Sequence, residues 1–151
     1  MTTTNGEHTG DRPRPLLISV HPRFAEAILD GTKTVELRRT RVAAPEGSLI
    51  VLYATAPVMA VVGSVTLAKR HTASPSTIWR RHRQHMNLTR AEFNDYLTGA
   101  TTATALILES PQRLNQAFPL ATLREHGPFS PPQSYRYIAP TDPDALHELV
   151  S

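Results

Sequence analysis

A lysine, a glutamate and an arginine stand close together in the segment GTKTVELR, which begins at Gly31. If residues 34–38 form a strand, alternation sends Thr34, Glu36 and Arg38 to one face and Val35 and Leu37 to the other. Lys33 then stands at the entrance of the charged face. A carboxylate in such a group accepts hydrogen bonds from an amine. The two cations donate to carbonyl or phosphate oxygens, and a lysine sheltered from water can act as a base. The same spacing also fits a solvated outer face whose ion pairs contribute little.

The residues before this cluster supply its scaffold. Residues 16–20 (LLISV) read as a strand, and Pro22 suits the first position of a helix, where its missing N–H costs nothing. Phe24, Ala25, Ile28 and Leu29 recur at helical spacing, and Gly31 provides a left-handed stop. Ser19 and His21 leave this strand close to the charged segment, and Arg39 follows it directly.

Further on, residues 49–54 (LIVLYA) and 58–67 (VMAVVGSVTL) read as two strands of a hairpin broken at Ala56-Pro57. Val61, Val65 and Leu67 are expected to share a face with Gly63, which marks a bend or a close backbone approach. Ser74-Pro75 caps a helix with Ile78, Trp79 and His82 on its inner side and Arg80, Arg81 and Arg83 over much of the rest. That basic helix fits a phosphate-contacting face or an ordinary solvated one. Thr89 and Glu92 form a capping box ahead of a helix whose apolar stripe is Phe93, Tyr96 and Leu97. Residues 104–108 read as a strand continuing loosely towards Leu114. Residues 120–125 read as a short helix and 135–138 as the last strand, and Thr141 or Asp142 is placed to cap a final helix. The polar stretch 1–15 is expected to be a disordered tail and 16–151 a single domain of α+β class.

Composition narrows the function. The chain has 151 residues, no cysteine and a net charge of +3. Disulfides, thiolate metal sites and sulfur redox chemistry are therefore excluded. No apolar run approaches the roughly 18 residues that span a bilayer, and the start of the chain lacks the apolar core of a signal peptide, so the expected location is the cytoplasm, without membrane partners. His82 and His85, with His71 upstream, lack a carboxylate at regular spacing, and neither a metal nor any other cofactor is expected. There is no nucleophile elbow and no glycine-rich phosphate loop.

The run Gly31, Lys33, Glu36, Arg38 resembles the G-x-K-x-x-E-x-R signature of ASCH domains, a branch of the PUA-like superfamily. His21-Pro22 and the helix after it are similar too, and the likeness runs over about residues 16–138. The resemblance implies a PUA-like mixed β-barrel of five to six strands with inserted helices. It implies a cleft beside the barrel for RNA, other single-stranded nucleic acid or a modified nucleotide, formed by Ser19, His21, Lys33, Glu36, Arg38 and Arg39. A stacking wall would come from Tyr53, Trp79 or Tyr135, and phosphate contacts from Arg80, Arg81 and Arg83. One enzymatic ASCH branch removes the acetyl group from acetylated cytidine with a lysine, a threonine three residues on, and a later glutamate. Lys33 matches the lysine, Glu36 stands where the threonine would be, and residues 83–86 (RQHM) offer no carboxylate. A ribonuclease built from Glu36, His21 or His85, and Lys33 with Arg38 is the alternative enzyme reading. A regulatory interaction module is a third, suggested by a resemblance of PPQSYRYI to transcription-associated PUA-like proteins.

Overall fold

The computed structural model describes residues 13–150. Six strands form one mixed sheet: β1 (Leu16–Val20), β2 (Val35–Arg38), β3 (Leu49–Ala54), β4 (Ala60–Ala73), β5 (Ala103–Pro119) and β6 (Tyr135–Tyr137). Their spatial order is β2–β5–β4–β3–β1–β6. Only the β1–β3 pair is parallel; the others are antiparallel. Among the described residues four α-helices sit between strands, α1 (Pro22–Asp30), α2 (Pro75–His82), α3 (Arg90–Tyr96) and α4 (Leu120–Glu125), and α5 (Asp144–Leu149) follows β6.

The opening block forms as local chemistry predicts. Pro22 occupies the first turn of α1, and Gly31 closes it at φ +87°, donating its N–H to the Ile28 carbonyl. A left-handed residue there favours glycine because it has no Cβ to clash. The Lys33 N–H then bonds the Ala27 carbonyl (3.0 Å) and the Thr34 N–H the His85 carbonyl (3.0 Å), which lays the chain into β2.

The sheet curls around a first core of Leu16, Ile18, Ile28, Leu52, Leu67 and Leu106. Its back is covered by α4 and α5 over Leu17, Val51, Tyr53 and Val61. The outer side of β2 and β5, with Val35, Leu37 and Ala105, packs under α2 and α3 through Ile78 and Phe93. Glu36 pairs with Leu106, so it shares the concave side of the sheet with that leucine, while Val35 and Leu37 face the helices.

Three expectations need correction. Val61 does not share a face with Val65 and Leu67: the β3–β4 register shifts between Leu52 and Tyr53, which sends Val61 to the second core and Val65 to the first. Gly63 does meet a close approach, because a Cβ there would lie 2.5 Å from the Gln112 carbonyl oxygen. The strand expected to trail loosely from Leu108 towards Leu114 is continuous from Ala103 to Pro119. Pairing with β4 carries it past Ser110, whose φ of +55° accompanies a register shift. Asp142 does not cap α5; its carboxylate takes two bonds from Arg136 (2.8 and 2.9 Å) and one from the Ala139 N–H (2.7 Å).

Of the expected tail, residues 1–12 lie outside the described residues. Of the remainder, the Pro15 carbonyl accepts from the Ile138 N–H and Arg14 lies over the Tyr137 ring. No described helix is long and apolar enough to cross a membrane.

Candidate nucleic-acid interface

Where the N-terminus of α1, the strand β2 and the helix α3 meet, the surface opens into a cavity of about 830 Å³. Lys33 and Glu36 lie at its inner side, His21 and Arg23 come from the start of α1, and Phe24, Leu88, Pro57 and Tyr96 form apolar walls.

The polar cluster is buried, which settles the choice left open by alternation: this is no solvated face. Lys33 is 1% exposed. Its Nζ donates to the Met86 carbonyl, sits 3.6 Å from Glu36 Oε1 and lies 4.7 Å from the centre of the Phe24 ring. Burial lowers the Lys33 pKa; Glu36 opposes this by favouring the charged form. The other carboxylate oxygen, Glu36 Oε2, binds Arg38 Nη2 at 2.9 Å.

Arg38 stands behind Glu36 and does not line the cavity. Its guanidinium donates to the Ser19 carbonyl (3.0 Å) and to Ser134 Oγ (3.2 Å). Since β2 and β6 are opposite edges of the sheet, Arg38 ties one side of the curled sheet to the other. Ser19 contributes through its backbone, and its hydroxyl donates to the Pro132 carbonyl at 2.6 Å. Neither residue presents a free polar group to the cavity. Arg39 also works through backbone: its Nη1 bonds the Tyr96 and Thr98 carbonyls (2.8 and 2.9 Å), which holds the end of α3 in place.

The predicted stacking residues are elsewhere. Tyr53, 3% exposed, packs against Phe129 in the second core, where burial raises its pKa. Trp79 packs on Phe93 with Arg90 over its face, and Tyr135 packs on the first core. Tyr53 is buried and Trp79 and Tyr135 are half-buried, each with its ring packed on protein groups away from the cavity. The aromatic walls are Phe24 and Tyr96 instead. Tyr96, 41% exposed, leaves the predicted apolar stripe of α3 because Phe93 and Leu97 suffice to dock that helix.

Two charged residues that the sequence offered no reason to join also shape the cavity. Arg23 grips the Glu92 carboxylate with both terminal nitrogens (2.7 and 3.1 Å) and the Asn87 carbonyl at 3.0 Å. Glu92 accepts from the Thr89 N–H at 2.9 Å as half of the predicted capping box. These bonds, Arg23 first, hold the Glu92 pKa down at about 2. Of the basic helix, Arg80 and Arg81 are exposed and line no part of the cavity. His85 is exposed on the 3₁₀ turn Arg83–His85 and also lies off the cavity. His71 Nδ1 and His82 Nε2 contact each other at 2.8 Å.

A charged pair buried beneath aromatic walls, on a curled mixed sheet with the G-x-K-x-x-E-x-R strand at its edge, defines a class. The chain belongs to the ASCH domain family, whose model matches residues 18–115. The mixed, partly closed barrel implied by the resemblance is therefore its fold. The chain is 36% identical over 137 residues to an ASCH domain-containing ribonuclease of Zymomonas mobilis, covering 89% of this chain and 91% of that protein. A crystal structure of ASCH from Zymomonas mobilis superposes with a TM-score of 0.82 at 33% identity, covering 91% of this chain and 94% of the other. A Pseudomonas putida protein shares the fold at a TM-score of 0.56 and 13% identity, covering 89% of this chain and 97% of the other.

Proposed function

We propose that this chain binds single-stranded RNA by taking a base into the cavity beside the barrel. The observation that carries the reading is the Lys33–Glu36 pair buried at the inner side of a cavity walled by Phe24 and Tyr96. A base needs apolar faces to stack on and hydrogen-bonding groups for its edge. Tyr96 supplies the stacking face, and Phe24, whose ring already carries the Arg23 guanidinium at 4.6 Å and the Lys33 ammonium at 4.7 Å, supplies an apolar flank. Glu36 Oε1, on a carboxylate set between Lys33 and Arg38, is placed to accept from an exocyclic amine or ring N–H, and His21 stands at the entrance. Arg38 and Arg39 serve by position: one fixes the Glu36 carboxylate, the other fixes α3 under Tyr96. The family match and the ribonuclease relative favour RNA as the ligand class. The test is fluorescence anisotropy of a labelled hexaribonucleotide across a salt series. Binding at micromolar protein is expected, with Tyr96→Ala weakening it by about 1–3 kcal/mol, the range for one stacked base. No binding, or binding indifferent to salt, refutes the reading.

A second reading, turnover of bound RNA, is favoured by the name of the Zymomonas mobilis relative. In it His21 and Glu36 handle protons at the cavity, and Lys33 stabilises developing charge or, with its lowered pKa, serves as the base. Incubation of the protein with RNA separates the two readings. Cleavage that disappears in Lys33→Ala and Glu36→Ala establishes the enzyme, and binding with intact RNA establishes the binder. Removal of acetyl from acetylated cytidine is disfavoured, because Glu36 replaces the expected threonine and residues 83–86 bring no carboxylate.

A further inference from the structure

Beside the cavity, sharing Arg23 and Leu88 with it, lies a second hollow of about 470 Å³. The two differ in chemistry. The cavity carries three carboxylates, those of Glu36, Glu92 and Asp95, which oppose entry of a phosphate. No carboxylate lines the hollow directly; Thr32, Arg83, Gln84, Asn87 and Thr89 complete it. The two nearby carboxylates, Asp30 and Glu92, are engaged by Thr32 and by Arg23 and Thr89. Arg83 is exposed and forms no ion pair among the described residues, whereas the charge of Arg23 is matched by Glu92. Thr89 Oγ1 accepts the Glu92 N–H at 3.1 Å, which leaves its hydroxyl hydrogen available to a ligand. Thr32 is already committed, donating its hydroxyl and N–H to Asp30 Oδ1 (2.7 and 2.9 Å). One unmatched guanidinium among neutral donors is what a phosphodiester requires.

We propose that this hollow holds the phosphate flanking the nucleotide whose base enters the cavity, with Arg83 as its cation. The strand then passes over Arg23 and Leu88, which separate the base from the phosphate. This rests on the RNA-binding reading and narrows it: of the three arginines in the basic segment, Arg83 touches the ligand, while Arg80 and Arg81, outside both linings, act only through their field.

The test compares wild type, Arg83→Ala, Arg83→Lys and Arg81→Ala, all surface changes, against a single-stranded hexaribonucleotide, a ribonucleoside and its 3′- and 5′-monophosphates. In wild type one monophosphate is expected to bind more tightly than the nucleoside, and which one gives the strand's direction. Arg83→Ala should weaken the hexamer roughly tenfold at low salt and lower the salt slope by about 0.7, the value for one phosphate of a single strand. Arg83→Lys should restore most of the slope, and Arg81→Ala should change it by less than half as much. Equal effects of Arg81→Ala and Arg83→Ala, or an unchanged slope in Arg83→Ala while RNA still binds, overturn the assignment and leave the cavity reading standing. Failure of wild type to bind the hexamer overturns both.

Discussion

At the scale of single residues, the polar cluster is an asymmetric arrangement with measurable consequences. Glu36 is the one anion between Lys33 and Arg38, all three nearly out of water. Removing it strands two buried cations, and breaking a buried pair in this way costs about 3–5 kcal/mol. Glu36→Ala is expected to lose stability in that range by urea denaturation. Lys33→Met should lose far less, because Glu36 keeps Arg38 and an apolar chain fills the same buried space. Equal losses would mean that the pairs are not energetically coupled. The pH dependence follows from the same burial. With a folded pKa below the ordinary lysine value of 10.5, Lys33 holds its proton less firmly folded than unfolded. The burden on stability is full below the folded pKa and is relieved as pH rises towards 10.5. The stability of wild type relative to Lys33→Met should therefore climb across that alkaline interval, and a flat difference would contradict it.

At the scale of elements, α1 and α3 are joined at the rim of the cavity by Arg23 and Glu92, and α3 is started by the Thr89–Glu92 capping box. Glu92 thus has two tasks, and its titration reports both. Its carboxyl is expected to titrate at about 2 by NMR. Because this lies below the unfolded value, the contribution is complete above the ordinary glutamate range and fades as pH falls towards 2. Arg23→Ala should move the midpoint up towards that ordinary range, more than Thr89→Ala does. A midpoint that stays near 2 without Arg23 would assign the shift to the cap alone. The β3–β4–β5 layer offers a separate check. A methyl group at Gly63 would meet backbone at Gln112 and the Leu29 side chain at 2.6 Å. Since the backbone carbonyl cannot rotate away, Gly63→Ala is expected to cost about 1–3 kcal/mol, the range for an overpacked core.

At the scale of the whole molecule, the curled sheet has two edges, and Arg38 on β2 reaches across to Ser19 on β1 and Ser134 beside β6. The inner side of the cavity is therefore part of what holds the edges together, and ligand chemistry and fold stability are linked through Glu36. Arg38→Met should increase amide hydrogen exchange at Ser19, whose N–H bonds the Ser134 carbonyl at 3.0 Å, and in β6, before it affects the β4–β5 pair. Uniform loss of protection across the sheet would refute the idea that Arg38 acts as a tie between edges.

Much of the frame was legible in the residues alone: the strand–helix–strand opening, the stop at Gly31, the caps at Ser74 and Thr89, and the charged face of Glu36 and Arg38. Each depends on backbone geometry or hydrogen bonds among neighbours a few positions apart, which sequence spacing encodes. Tertiary structure alone decided that Glu36 and Arg38 face inward, that Tyr53 is core while Phe24 and Tyr96 are walls, and that Glu92 meets Arg23. It also decided that Arg83, of three similar arginines, lines a hollow. Those outcomes turn on which surfaces are covered by segments dozens of residues away, and burial is a property of the packed chain that no local pattern carries.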